Sequence, residues 1–560
     1  MRSRSWFRGP EYYNFARRAW LRAEGFSADV FDDAKPVIGI CNSWSELNNC
    51  NSGLRDVAEA VKRGVWQAGG VPLEFPTISL AEMLMKPTAM LFRNLMAMDV
   101  EESIRAHPLD GVVLLSGCDK TTPAQLMGAA SADLPSIMVT AGPMLAGNWR
   151  GQVLGSGTDG RRLFEQYRAG RITEEELGEI EGCIARTVGH CAVMGTASTM
   201  ACIAEALGMT LPNCAAIPAP DSRRFMLAEQ SGRRIVDMVR EDLRPSKILT
   251  RGALENAITA LMALGGSTNG VVHLLAIAGR LGIDLKLADF DRISRRTPCL
   301  ANMKPSGAYV MEDFFYAGGL PALLRNILSL LDSQCVTVNG RTLTDNVANA
   351  INSNTDVIRP VDNAIQAEGG IAVLGGNLCP RGAVIKQSAA SPSLLRHVGP
   401  AYVFENYAQL LAEVEKEDLP VDENTVLVLK NAGPKGGPGF PEWGWMPMPK
   451  ALLKRGVKDV VRISDGRMSG TSFGTVVLHI APESAVGGPL ALVHTGDEIS
   501  LNVEGRRLDL KISDEEWKKR EKVLVPSTQH YRRGYGKLFI DHVLQADEGC
   551  DFDFLRAVSD

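Results

Sequence analysis

Asp110-Gly111-Val112-Val113-Leu114-Leu115-Ser116-Gly117-Cys118-Asp119-Lys120 is the stretch on which the reading of this chain turns. Its aliphatic run has no polar interruption, which predicts a strand covered on both faces, as in a parallel sheet. The run ends in a turn that sets a thiol, a soft metal ligand, beside a carboxylate, a hard one. Lys120 adjoins both and could serve as an acid, a base or a modified ligand. The plainer reading of the same tripeptide is a buried cysteine, an aspartate capping the next helix and a solvated lysine.

Working outward, similar units recur. Pro36-Val37-Ile38-Gly39-Ile40 precedes a helical pattern over 54–67, in which Leu54, Val57, Ala58, Val61 and Val65 share one face and Gly69-Gly70 stops the helix. Ser136-Ile137-Met138-Val139 and Gly370-Ile371-Ala372-Val373-Leu374 look like further βα units. Such alternation predicts an α/β fold whose parallel sheets are covered by helices. Past Leu378 the texture changes. Val426–Leu429, Val460–Ile463, Ala491–Val493 and Leu508–Ile512 read as short strands separated by Gly/Pro-rich turns, which predicts a β-rich, barrel-like domain. The expected division is an N-terminal α/β domain over 1–377 and a C-terminal domain over 378–560, the boundary falling between Glu368 and Ser391. The last segment, from Asp514, begins as a charged helix and ends as an aromatic tail that either wraps a partner subunit or packs on its own chain.

Composition agrees with a compact two-domain protein. The chain has 560 residues, 45% of them hydrophobic, and 55 glycines. Its net charge of -5 and the lack of a long basic block argue against a nucleic-acid partner. No apolar stretch is long enough for a membrane helix, and Met1-Arg2-Ser3-Arg4-Ser5-Trp6-Phe7-Arg8 does not read as a secretory signal. A cytoplasmic protein is expected, in which the eleven cysteines are reduced and form no disulfide framework. With no close CxxC pair, any metal-binding cysteines must converge from distant segments.

Two further cysteines sit in polar or glycine-rich turns, Cys50 in Asn48-Asn49-Cys50-Asn51 and Cys191 in Gly189-His190-Cys191-Ala192. Three thiolates could hold an iron–sulfur cluster with one iron position open to a substrate oxygen. Taken singly, each is more often a plain buried thiol. Glu82 stands among apolar residues, and Glu442 follows the constrained loop Gly433-Pro434-Lys435-Gly436-Gly437-Pro438-Gly439-Phe440-Pro441. With Asp119 they could supply oxygen ligands for magnesium, although a helix-terminal charge and a solvated turn residue are the bland alternatives. Ser469, in Ser464-Asp465-Gly466-Arg467-Met468-Ser469-Gly470-Thr471, is the candidate reactive hydroxyl. No histidine or lysine adjoins it, so a metal-independent serine hydrolase has weak support. A non-catalytic iron–sulfur sensor would have little use for both the carboxylates and Ser469. Gly265-Gly266-Ser267-Thr268-Asn269 could cradle an anion but lacks the nucleotide phosphate-loop pattern.

Cys118-Asp119-Lys120-Thr121-Thr122-Pro123-Ala124 together with Ser464-Asp465-Gly466-Arg467-Met468-Ser469-Gly470 resembles the paired signatures of the dihydroxy-acid and phosphogluconate dehydratases. Gly195-Thr196-Ala197-Ser198-Thr199-Met200 and Gly265–Asn269 lie between them, and the resemblance spans nearly the whole chain. It implies Cys50, Cys118 and Cys191 as cluster ligands, and Glu82, Asp119 and Glu442 as magnesium ligands. It also implies a carbamylated Lys120 as a further oxygen ligand, Ser469 as the base, and a homodimer or homotetramer. The implied reaction is removal of water from a 2,3-dihydroxy acid to give a 2-keto-3-deoxy acid, the two metals acting on different oxygens of one substrate.

Within the family, Met98–Arg105, Lys86-Pro87-Thr88-Ala89-Met90 and Gly142–Trp149 look similar to the arabinonate and xylonate dehydratases. Thr471 points the same way as a substrate-binding hydroxyl. That group implies a sugar-acid substrate and a [2Fe-2S] cluster, with [4Fe-4S] as the alternative. The competing expectation is dihydroxyisovalerate dehydration in branched-chain amino-acid synthesis, or action on both substrate classes.

Overall fold

The computed structural model describes residues 1–31, 35–526 and 531–557. Four strands, β1 (Val37–Asn42), β2 (Val71–Pro76), β3 (Gly111–Ser116) and β4 (Ser136–Thr140), form a wholly parallel sheet in the order β2-β1-β3-β4. Every residue of β1, β3 and β4 is buried, as an uninterrupted aliphatic run demands when helices cover both faces. The helix Leu54–Gln67 turns its predicted apolar face inward and crosses the long helix Ser222–Glu241 closely. A Cβ at Gly64 would stand 2.0 Å from the Glu229 carbonyl oxygen, so only glycine permits this approach.

A small hairpin, β5 (Gly147–Trp149) and β6 (Gln152–Leu154), leads into the helical middle of the chain. The second sheet then assembles from β7 (Ala372–Leu374), β8 (Gly382–Ile385), β9 (Arg396–Phe404), β10 (Val426–Leu429), β11 (Arg462–Ser464), β12 (Val476–Ala481), β13 (Glu498–Asn502) and β14 (Arg507–Lys511). Their order is β14-β13-β9-β10-β11-β12-β8-β7, with β9 to β12 mutually parallel and the outer pairs antiparallel. A bridge from Gly375 to Arg507 joins the two edges, so the sheet nearly closes into the barrel-like form expected from the sequence.

Two expectations need correction. The run Gly370–Leu374, read as one more βα unit of a parallel sheet, supplies the edge strand β7, antiparallel to β8. Its aliphatic residues suit either sheet, and only the partner strand decides. Ala491–Val493, read as a strand, lies at a 3-10 turn, Pro489–Leu492, begun by a proline that cannot donate to a ladder.

The C-terminal segment returns to the N-terminal half of its own chain. Arg93 donates to the carbonyls of Gly549 (2.9 Å) and Cys550 (2.8 Å), and Arg280 pairs with Asp551 at 2.6 Å. Parts of the tail at 527–530 and 558–560 lie outside the described residues. Among the described residues, no helix is long and apolar enough to cross a membrane.

Candidate active site

In an open parallel sheet, loops at the carboxyl ends of strands separate where the strand order reverses, and they leave a crevice there. Here the reversal falls between β1 and β3. The loop after β1 carries Cys50, the turn after β3 carries Cys118, Asp119 and Lys120, and the segment after β2 carries Glu82. Asn51 stitches the first two together. Its Oδ1 accepts from the Cys118 N–H at 3.1 Å while its Nδ2 donates to the Ser43 carbonyl at 2.9 Å. The third cysteine loop joins through the Gly189 N–H, which donates to the Asn49 carbonyl at 3.1 Å.

The three predicted thiols therefore converge. Cys50 lies beside Cys118, and this neighbour, its burial and the nearby Cys191 and Asp119 all hold its pKa well above the ordinary value. Burial pushes Cys191 up to about 11, with Asp119 and Cys118 adding to the effect. Such crowded thiols resist becoming anions together unless a cation joins them, so the donor set fits a thiolate-bound metal cluster.

Beside the thiols, single carboxylate oxygens of Glu82, Asp119 and Glu442 lie within 4.8 Å of one another. Lys120 is fully buried, and its Nζ stands 3.0, 2.6 and 3.2 Å from Glu82, Asp119 and Glu442. Burial and Arg467 both work against its charge, but the three acids outweigh them and raise its pKa. Glu442 is opposed by its own burial and is nonetheless held below the usual carboxylate range by Lys120 and Arg467. Hard oxygen donors gathered around one positive charge fit a divalent cation. The plain readings hold for Cys118, which is buried, but not for the charged residues. Lys120 is not solvated, Asp119 is not the helix cap, and Glu82 lies in a turn rather than at a helix start.

The second sheet meets this cluster with its own carboxyl ends. The loop after β10 bears Glu442, and the turn after β11 bears Arg467, Ser469 and Thr471. Arg467 is almost completely buried and spans the two halves, donating to Glu442 at 2.7 Å and to the Thr88 hydroxyl at 2.8 Å. Thr88 in turn donates to Glu82 at 2.7 Å. Ser469 Oγ lies 3.0 Å from Thr471 Oγ1, and the Thr471 carbonyl accepts from Thr158 at 2.8 Å. Gly470 has no room for a side chain, since a Cβ there would sit 2.5 Å from the Thr196 nitrogen. Asn269 donates to the Met468 carbonyl at 3.1 Å and to the Thr196 hydroxyl at 2.9 Å. The Gly265–Asn269 segment thus clamps the serine turn.

Arg467, Thr88, Asn51 and Asn269 are the site residues that motif reading quoted without assigning a task. Arg467 and Thr88 carried a usable signal, a cation and a hydroxyl inside the quoted motifs, but no spacing rule pairs them across 379 positions. A further cation, Arg161, rests 5.0 Å from the centre of the Trp445 ring and forms no ion pair among the described residues.

An α/β chain whose two sheets aim their strand ends at one set of thiols, acids and a serine is built as an enzyme. Residues 35–346 match the N-terminal region, and residues 356–550 the C-terminal region, of the dihydroxy-acid/6-phosphogluconate dehydratases. The chain belongs to this family and is a hydro-lyase. It is 54% identical over 558 residues to L-arabinonate dehydratase of Rhizobium leguminosarum bv. trifolii, covering 99% of this chain and 96% of that protein. It is 49% identical over 560 residues to 6-deoxy-6-sulfo-D-gluconate dehydratase of Pseudomonas putida, covering 100% and 96%. Dihydroxy-acid dehydratase of Methanothermobacter thermautotrophicus is 41% identical over 512 residues, covering 90% and 91%.

Proposed function

We propose that the protein dehydrates an aldonic acid, removing the C2 proton and the C3 hydroxyl as water to give a 2-keto-3-deoxy acid. The observation that carries this reading is the meeting of three thiols and three carboxylates at the facing strand ends of the two sheets, with Ser469 on the turn whose Arg467 donates to Glu442. Sugar-acid specificity draws support from relatives named for arabinonate and sulfogluconate, which match at higher identity than the one named for dihydroxy acids. The branched-chain dihydroxy-acid reading has less support.

Cys50, Cys118 and Cys191 would hold an iron–sulfur cluster, [2Fe-2S] by resemblance. Glu82, Asp119 and Glu442 would hold Mg2+, joined by Lys120 once carbon dioxide converts its amine to a carbamate. When bound, these centres supply Lewis acidity toward the carboxylate and hydroxyl oxygens of the substrate. Ser469, as its alkoxide, takes the C2 proton and passes it to the departing C3 hydroxyl, which leaves as water, and the enol tautomerises to the keto acid. Thr471 orients the serine hydroxyl and offers its own to the substrate. Arg467 keeps Glu82 and Glu442 in register across the two halves, and the unpaired Arg161 favours an anionic substrate.

The test is keto-acid formation by anaerobically purified, magnesium-supplemented protein across pentonates, hexonates and 2,3-dihydroxyisovalerate. Preference for an aldonate is expected. Preference for dihydroxyisovalerate would overturn the sugar-acid assignment.

A further inference from the structure

Directly after β8, Lys386 is buried with only 1% of its surface exposed. Among the described residues no carboxylate forms an ion pair with it, and its Nζ donates to a single acceptor, the Gly470 carbonyl, at 3.5 Å. An ammonium with no counter-ion is costly in a protein interior and needs compensation from elsewhere. Burial lowers its pKa to about 7, and the Cys299 thiol is the one titratable group whose charge acts on it in the opposite sense. A Cβ at Gly265 would lie 3.1 Å from both Cys299 Sγ and Ser388 Oγ, which places these two neutral groups together on the neighbouring segments. Burial pushes the Cys299 thiol up to about 12, so at neutral pH it carries no charge, and among the described residues no carboxylate pairs with Lys386.

The acceptor of Lys386 is the informative part. The peptide unit joining Gly470 to Thr471 presents its C=O to Lys386 and its N–H to Ser469 Oγ, at 3.5 Å on each side. A cation at the carbonyl end draws electron density through the amide and makes its N–H a stronger donor. A serine that has lost its proton is the negative charge that both groups lack.

Resting on the reading of Ser469 as the base, we propose that Lys386 is a positioning residue for that serine, polarising the Gly470–Thr471 peptide so that the Thr471 N–H stabilises the Ser469 alkoxide. The two long hydrogen bonds shorten as the serine gives its proton to the departing C3 hydroxyl and returns to the alkoxide, and the buried ammonium gains its counter-charge through the peptide.

The experiment compares Lys386→Met and Lys386→Arg in the cluster-loaded, magnesium-supplemented enzyme, following kcat and KM against pH with cluster absorbance as the control for folding. Lys386→Met is expected to keep the absorbance and KM and to lose about 10- to 100-fold in kcat at neutral pH, less than direct loss of an oxyanion donor costs. Because the serine is then harder to ionise, its profile should shift so that activity recovers toward alkaline pH. Lys386→Arg, which keeps the charge, should restore most of kcat and the original profile. An unchanged kcat in Lys386→Met, or equal losses in both variants with no shift of the profile, would overturn the proposal in favour of packing alone. Where Lys386→Met fails to load its cluster, Lys386→Gln takes its place with the same two outcomes. The serine reading is checked separately. If Ser469→Ala retains turnover, the base assignment itself falls. If that variant is impaired, adding Lys386→Met should cost nothing further.

Discussion

The turns that follow β1 and β3 differ in kind from those that follow β10 and β11, although both sets sit at the carboxyl ends of parallel strands. The first set gathers Cys50, Cys118 and Asp119, and this crowding, with burial, holds the Cys50 thiol well above its ordinary pKa. The second set, and the Glu483–Ser484 segment beside it, bond their acids internally. Asp465 accepts from the Ala432 and Ser484 N–H groups at 2.9 and 2.8 Å, and Glu483 accepts from the Lys435 and Gly436 N–H groups and from Gln545. One side crowds thiols and acids together; the other is a hydrogen-bonded frame that presents Glu442 and Ser469. The difference teaches that the thiols come from one half of the fold, while the other half adds Glu442 to the acids and positions the serine.

The sharpest way to break this comparison is on the first side. Cys118→Ser should abolish both turnover and visible cluster absorbance, and a brown, active variant would remove Cys118 as a ligand. On the second side, Ser469→Ala should leave the absorbance intact while kcat falls about 10²- to 10⁴-fold, the range for loss of a general base. Normal turnover by that variant would end the division of labour. Arg467 ties the halves together as a buried cation between two acids, so Arg467→Met should cost about 1–3 kcal/mol in denaturant unfolding, because it removes the donor to Glu442 and Thr88 and leaves Lys120 to balance Glu442. Thr471→Val should be milder, with about a tenfold loss in kcat/KM for aldonates, consistent with removal of one hydrogen-bonding hydroxyl.

The smallest expected effect concerns the frame alone. Burial and the neighbouring Asp465 raise Glu483 from the ordinary 4.5 to about 7. A folded-state pKa above the unfolded one means that the native protein holds the extra proton between these values. The stability this contributes is complete below pH 4.5 and is lost as pH rises through 7. Glu483→Gln, which keeps an acceptor for the backbone N–H groups, should flatten the fall in stability across that window by about 1–3 kcal/mol. A variant with the same pH slope as the parent would show that Glu483 is ionised in the native protein.

Much of this was legible in the residues. The apolar runs of β1, β3 and β4 specify buried parallel strands because only a sheet covered on both faces gives such runs a home. Helix Leu54–Gln67 could be read to its ends from helical spacing and the glycines that follow. Ala491–Val493 was misread because short apolar segments have no period of their own, and a proline two residues earlier turned the backbone. Arg467 escaped assignment because its partners, Thr88 and Glu442, come from separate elements.

By itself, the sequence determined which residue types stand at the ends of which strands, and with them the family and its chemistry, since strand period and ligand type are local properties. Only the tertiary structure decided that three acids share one buried lysine, that Arg467 bridges the halves, and that Lys386 backs the serine turn. Those facts depend on segments hundreds of residues apart meeting in a low-dielectric interior, where a charge is tolerated only beside its partner, and no local pattern encodes that meeting.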